Sequence, residues 1–290
     1  MTKQLPFWKV QSIGNDFPLF HLDDLSPAIA DSGSDPEKVI RDLAIHACDR
    51  KFGVGGDGLL VISMEGADLR LRMFNPDGTE DFCGNGMRCA AKHAHEIGWV
   101  GESYTIKHLN RDVPTSIDGD CVSTVIGVAD YTPENVPQKN GELFNQTIWS
   151  GMDSGMPLSL FGSALTTGST HVVIPTSILP DDDTFRSVSA KIEVDPLYPM
   201  RTSVIWSREV SPMKIQIRIW ERGVGETLGC GTGSSAAAAD YLRRKSIGGS
   251  VEVENPGGAV TVSMEAWYKP ITVIGTASVV YSGTYIFDFV

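Results

Sequence analysis

No two cysteines of this chain stand at the C-x-x-C spacing of a zinc site or a dithiol redox motif. No window approaches the run of about 18 apolar residues that a membrane span needs. The first residues, Met1–Phe7, have no charged n-region followed by an apolar h-region, and this predicts a cytoplasmic protein. Basic residues are in deficit: 24 Lys and Arg face 36 Asp and Glu, a formal net charge of −12. A nucleic-acid binder needs a basic patch to displace counterions, so that class is excluded, and the acidity is read as solubility. The five cysteines are an odd number without a secretion signal, which argues for reduced thiols and against a disulfide framework. Neither nucleic acid nor membrane is expected as a partner, and a homodimer is left open. At 290 residues the chain is long enough for two domains.

The most informative stretch is Glu221–Ser235, which sets Cys230 among glycines and runs into Ala236–Ala239. A second copy precedes it by about half a chain: Asp81–Phe82–Cys83–Gly84–Asn85–Gly86–Met87–Arg88–Cys89–Ala90–Ala91. Each copy follows an alternating strand, Leu69–Phe74 in one case and Ile215–Trp220 in the other. Each leads into a helix that stops at glycine, Gly98 or Gly248, and then into a strand, Tyr104–Lys107 or Val251–Glu254. The repeat is therefore strand, turn, Cys-Gly-x-Gly, helix, glycine, strand, in two copies only, as in a pseudo-dimer.

Between these landmarks the spacing predicts a strand at Phe7–Val10, a turn over Ser12–Phe17 and a polar loop through Pro27–Asp35. A helix opens at Pro36, with Val39, Ile40, Leu43 and Ala44 on one face. Gly53–Val54–Gly55–Gly56–Asp57–Gly58 is a literal G-x-G-x-x-G, but it follows a helix and precedes the strand Leu59–Ile62. The dinucleotide fingerprint requires the reverse order, so the segment is read as a glycine-rich loop. Tyr131–Asn145 reads as an inter-domain connection. Leu165–Thr170 is a loop that delivers His171 to the head of a strand, and the Asp181–Asp183 region reads as non-helical.

A thiol at a helix N-terminus gains from the dipole and from unpaired N–H groups, which lower its pKa from about 8.5 toward neutrality. Two such termini facing one cavity would also hold a carboxylate on the N–H groups of Gly84–Gly86 and Gly231–Gly233. The α-carbon of that carboxylate would lie between two sulfurs. Stereoinversion needs this arrangement, because no single base reaches both faces. Buried cysteines are more often small hydrophobes, and Cys48, Cys89 and Cys121 keep that reading.

At these residues the sequence resembles the diaminopimelate epimerase family and its cofactor-independent racemase relatives. The motifs are Ile13–Phe17, Gly53–Gly55, Asn75–Gly78, Cys83–Cys89, Glu221–Thr227, Cys230–Gly233 and Pro256–Gly258. The resemblance implies an α+β fold of two pseudo-symmetric domains, each a β-sheet wrapped around a central helix. The expected domains are 1–128, joined by a final strand 276–290, and 129–275. It further implies that Cys83 and Cys230 are the catalytic acid/base thiols and that Gly84, Asn85, Gly231 and Thr232 cradle the carboxylate. Asn15 and Asn75 match substrate-binding asparagines. Glu221 and Arg222 match the pair that contacts substrate, with Glu221 supporting the second thiol and His171 the first; a satisfied core histidine is the alternative for His171.

Two positions depart from the family pattern: Ser169 and Ser203 stand where it has asparagines that hold the distal end of diaminopimelate. A site that hydrogen-bonds a polar group discriminates strongly for it. The expectation is therefore a racemase or epimerase acting on another amino acid, with a basic or imidazole side chain such as histidine, and diaminopimelate epimerase itself as the alternative. A double-bond isomerase of the same broad fold and a thiol redox sensor are the further readings. No metal or cofactor is expected, because the candidate site offers thiols and no Schiff-base lysine. A carbonyl reagent such as hydroxylamine should leave activity intact; inactivation would contradict the cofactor-free expectation.

Overall fold

The computed structural model describes residues 2–153 and 155–288. The chain divides into two compact units: one runs to Thr124 and resumes at Gly275, and the other is Val125–Ile274.

In the first unit β1 (Thr2–Ser12) and β2 (Asn15–His21) form a hairpin, followed by α1 (Leu22–Ser32) and α2 (Pro36–Cys48). Next come β3 (Leu59–Glu65), β4 (Asp68–Phe74), α3 (Gly84–Glu96), β5 (Ser103–His108), β6 (Arg111–Asp118) and β7 (Cys121–Gly127), which crosses the unit boundary. β2 and β3 are parallel across α1 and α2, and β4 and β5 are parallel across α3. The intervening pairs β3/β4, β5/β6 and β6/β7 are antiparallel.

The second unit repeats this order with β8 (Gln146–Asp153), β9 (Met156–Thr166), β10 (Thr170–Pro175), α4 (Asp182–Glu193), β11 (Ser203–Ser211), β12 (Lys214–Glu221) and β13 (Gly225–Thr227). α5 (Gly231–Lys245), β14 (Gly249–Asn255), β15 (Gly258–Met264) and β16 (Ile271–Thr276) complete it. β10 and β11 are parallel across α4, and β12 and β14 are parallel across α5. The last strand, β17 (Ser278–Asp288), pairs antiparallel with β1 in the first unit. Each half thus contains two parallel β-α-β crossovers, and this is the strand-helix repeat carried to the whole topology.

The middle helices α3 and α5 are enclosed. α3 is buried from Gly84 to Ala94 except at Lys92, and α5 without a break from Gly231 to Leu242. A helix buried on all sides must carry small or fully paired side chains. Ala236–Ala239 meet that demand in α5. Its buried serines are paired: Ser235 Oγ donates to Gly231 O at 2.8 Å, and Ser234 Oγ to Asn255 Oδ1 at 3.1 Å.

Three expectations are corrected. The Pro27–Asp35 loop is partly helical: α1 carries Pro27 in its interior, and burial of Leu25, Ala28 and Ile29 at helical spacing offsets the lost N–H bond. The Asp181–Asp183 region opens a helix, since the Asp181 side chain accepts from Thr184 N at 2.8 Å and Phe185, Val188 and Ile192 are buried. Tyr131–Asn145 is no loose connection. Val136 and Leu143 join the core of the second unit, and the Arg243 guanidinium of α5 lies 4.1 Å from the ring centre of Tyr131, 3.9 Å from Phe144 and 4.6 Å from Trp267. Of the cysteines read as core, Cys48 and Cys89 are buried but Cys121 is exposed. Replacing Asp181 by Ala should lower stability through the lost cap, readable as a lower urea midpoint, while Asp181→Ser, which keeps a capping oxygen, should restore most of it.

Candidate active site

Cys83 and Cys230 are both helix N-caps, with backbone angles of φ −136°, ψ 110° and φ −138°, ψ 120°. Cys83 Sγ accepts from Gly86 N at 3.3 Å and Cys230 Sγ from Gly233 N at 3.4 Å. The glycine three residues on stands in a crowded place in both copies. A Cβ at Gly86 would lie 2.9 Å from Leu60 Cδ2 and 3.5 Å from the thiol, and one at Gly233 would lie 3.0 Å from Ile205 Cδ1 and 3.4 Å from the thiol. Ser, Asp or Asn is the usual N-cap; a cysteine there places a sulfur where unpaired N–H groups favour its anion. The buried Cys48 contrasts with this, since burial pushes its thiol up to about 12.

In the first unit a chain of directed hydrogen bonds runs beside Cys83. Arg88, fully buried, donates from Nη2 to Asn85 Oδ1; Asn85 Nδ2 donates to Asn15 Oδ1 at 3.3 Å; Asn15 Nδ2 donates to Asp57 Oδ2 at 2.6 Å. A guanidinium only donates and a carboxylate only accepts, so the two ends fix the orientation of both amides. Asn15 therefore turns its oxygen toward Cys83 Sγ, 3.9 Å away. The hairpin tip Ile13–Gly14, with φ of 47° and 82°, puts Asn15 at the first position of β2.

Asp57 belongs to the glycine-rich loop, which is held by Arg50 (2.7 Å to Asp57, 2.6 Å to Asp16) and by the Asp57 N–H donating to Asp16 O at 2.7 Å. Burial opposes the charge of Asp16, but Arg50 and Lys9 outweigh it and lower its pKa. His108 fixes the backbone of the thiol. Its Nε2 accepts from Cys83 N at 3.2 Å while its Nδ1 donates to Leu71 O at 3.2 Å, a pattern that only the neutral ring supplies.

In the second unit Cys230 Sγ is 3.3 Å from Thr232 Oγ1, which is 3.4 Å from His171 Nε2 and 3.3 Å from Ser169 Oγ. Ser169 Oγ is also 3.3 Å from His171 Nε2. The resemblance gives His171 to Cys83; within its own unit its hydrogen bonds run toward Cys230 through Thr232. Ser203 lies beside His171 in the β10/β11 register and its Oγ accepts from Arg222 N at 3.1 Å. Arg222 is exposed and donates to Met200 O at 3.2 Å, and Glu221 accepts from Thr227 Oγ1 at 2.6 Å.

The residues singled out from sequence thus fall into two clusters, Asn15–Cys83–Gly84–Asn85 and Ser169–His171–Ser203–Arg222–Cys230–Gly231–Thr232. Glu221 adjoins the second through the turn. Asn75 lies in the turn after β4, bonded to Thr79 Oγ1 at 3.0 Å. Sequence reasoning missed Asp57, His108, Arg88 and Glu193. Asp57 and Arg88 lie inside motifs read for their glycines and cysteines; His108 and Glu193 carry no local signal. Among the described residues no group of three His, Cys, Asp or Glu could hold a metal, and no helix is long and apolar enough to cross a membrane.

The family model described as diaminopimelate epimerase matches residues 13–130 and 163–280, one match in each half. The chain belongs to the diaminopimelate epimerase family. It is an isomerase of the racemase and epimerase type, with the family's two repeated α+β domains. The diaminopimelate epimerase of Desulforudis audaxviator is 32% identical over 291 residues, 97% of this chain and 99% of its own. That of Methanothrix thermoacetophila is 34% identical over 267 residues, 90% of this chain and 89% of its own. Among solved structures, a hydroxyproline epimerase from Agrobacterium vitis, with bound trans-4-OH-L-proline, has the same fold with a TM-score of 0.68, at 12% identity, over 99% of this chain and 92% of its own.

His93, His108 and His171 of this family member are each pushed down to about 4, with burial as the largest cause. The unfolded chain binds protons near pH 6.5 that the fold refuses. The stability held by the neutral rings is therefore complete above about 6.5 and is lost as pH falls toward 4. Urea unfolding at pH 7 and pH 5 should show the drop, and His108→Gln, which can make both ring hydrogen bonds, should reduce it; equal stability at the two pH values would contradict the assignment.

Proposed function

We propose that this protein inverts one α-carbon of diaminopimelate by a two-base mechanism in which Cys83 and Cys230 exchange a proton with opposite faces of the substrate. The matched pair of cysteine N-caps carries the reading. One thiolate takes the α-proton, the C–H electron pair passes into the carboxylate as an enediolate, and the opposite thiol delivers its proton to the other face. The sulfur that began as thiolate ends as thiol, and its partner the reverse. N–H groups of Gly84–Gly86 and Gly231–Gly233 are the donors for the enediolate charge, each worth about 3–4 kcal/mol when well placed. Gly84, Asn85, Gly231 and Thr232 serve as the carboxylate cradle, Asn15 orients toward the first thiol, and Asn75, Glu221 and Arg222 face the substrate. The reaction asks for no cofactor.

Diaminopimelate is favoured over other amino acids by the names of the relatives, which match at 32–34% identity over nearly their whole lengths. A specific observation keeps the second reading, an amino acid with a basic or imidazole side chain such as histidine. Ser169 and Ser203 replace asparagines, and both hydroxyls are already engaged, Ser169 with His171 and Thr232, Ser203 with the Arg222 N–H.

The experiment is deuterium wash-in at the α-carbon under reducing conditions, with LL-diaminopimelate, L-histidine, L-arginine and L-lysine compared. Exchange with inversion on diaminopimelate is the expected outcome; exchange confined to one of the other three selects the second reading. Cys83→Ala and Cys230→Ala should each lower inversion by about 10²–10⁴-fold or more, the range for a lost acid/base group. Inversion at wild-type rate in either variant overturns the mechanism.

A further inference from the structure

Glu193 is the last residue of α4 and only 5% exposed. Both features are unfavourable for a carboxylate: the C-terminal end of a helix carries partial negative charge, and burial removes water from the anion. A similarly sized apolar residue at such a place is often neutral or stabilising. What Glu193 gains instead is a set of donors from two separate segments. Its Oε1 accepts from Gly223 N at 2.6 Å and from Arg201 Nη2, its Oε2 accepts from Trp220 Nε1 at 2.7 Å, and its main-chain oxygen accepts from Thr202 N at 3.3 Å.

These donors bracket the Arg222–Ser203 contact. Trp220 and Gly223 lie on either side of Glu221–Arg222, and Arg201 and Thr202 immediately precede Ser203. Gly223 has φ +79°, the left-handed geometry of a tight turn, and its N–H aims inward at the carboxylate. Ser203 Oγ then receives the Arg222 N–H, and the Arg222 side chain is anchored on Met200 O, which leaves the guanidinium exposed at the turn.

We infer that Glu193 is a positioning residue for substrate side-chain recognition: its buried carboxylate clamps the Trp220–Gly223 turn to the Arg201–Ser203 segment and so sets where Arg222 and Glu221 meet the distal end of the substrate. The clamp rests on the reading of Arg222 and Glu221 as substrate contacts. A glutamine cannot replace it. With its oxygen on Gly223 and Arg201 its NH2 confronts the Trp220 N–H, and the flipped amide confronts the other two donors.

The test compares wild type with Glu193→Gln and Glu193→Met, the second being an apolar replacement of similar size that keeps the helix end packed. Loss of positioned binding raises KM more than it lowers kcat. Both variants should raise KM for the substrate identified by wash-in about tenfold, with kcat changed less than about threefold, which converts to about 1.4 kcal/mol of binding. The Gly223 amide should exchange with solvent several-fold faster, read by amide-resolved hydrogen exchange. Unchanged KM, or a kcat loss at constant KM, overturns the inference, as does an unchanged Gly223 exchange rate. A wild type that inverts no amino acid overturns the proposed function, and the Gly223 exchange rate then still decides whether the clamp exists.

Discussion

Each of the two candidate thiols caps a helix by accepting from the amide three residues on, and in both copies that residue is a glycine. A Cβ at Gly86 or Gly233 would be crowded at once by the thiol and by the tip of a strand side chain, Leu60 or Ile205. The spacing Cys-Gly-x-Gly, the enclosed helices and the equivalent strands β3 and β11 are therefore one linked constraint. Once a thiol must sit on an N-terminus inside a sheet, the helix behind it must be small enough to be enclosed. Two copies of that constraint, in matching backbone conformation, define the architecture more than any single core contact does.

The features legible in the sequence were those that repeat or that punctuate the backbone. The two cysteine motifs, the alternating strands Leu69–Phe74 and Ile215–Trp220 and the glycine stops are local patterns, so periodicity and turn chemistry find them. α1 and α4 escaped because their local signals conflict. Pro27 argues against a helix that burial of Leu25, Ala28 and Ile29 supports, and the run Asp181–Asp183 reads as polar loop until Asp181 is seen as the cap that Thr184 needs. Tyr131–Asn145 has the composition of a connection, yet Arg243, more than ninety residues later, supplies the cation that its aromatic side chains surround.

The candidate site divides along the same line. Residues whose role is backbone geometry, Cys83, Gly84, Cys230 and Gly231, announce themselves by spacing. Residues that act by orienting another group do not. Asp57 turns the Asn15 amide, His108 holds the Cys83 N–H, and Glu193 ties the Trp220–Gly223 turn to the Arg201–Ser203 segment; contacts of this kind follow no period and leave no trace in the sequence pattern. The serines at 169 and 203 show the reverse case: their departure from the family pattern is visible in sequence, but that both hydroxyls are already bonded within the protein is visible only in three dimensions.

α5 has a mechanical consequence. Its burial is unbroken over Gly231–Leu242, with alanine and serine where other helices carry bulk, so it has no loose side chain to absorb a displacement. Close-packed interiors transmit strain. Arg243, seated among Tyr131, Phe144 and Trp267 and paired with Glu142 at 2.5 Å, grips the far end of the same rod. Cys230 and the aromatic socket thus stand at opposite ends of one close-packed helix, so a substitution that shifts Tyr131, Phe144 or Trp267 strains the same element that Cys230 caps.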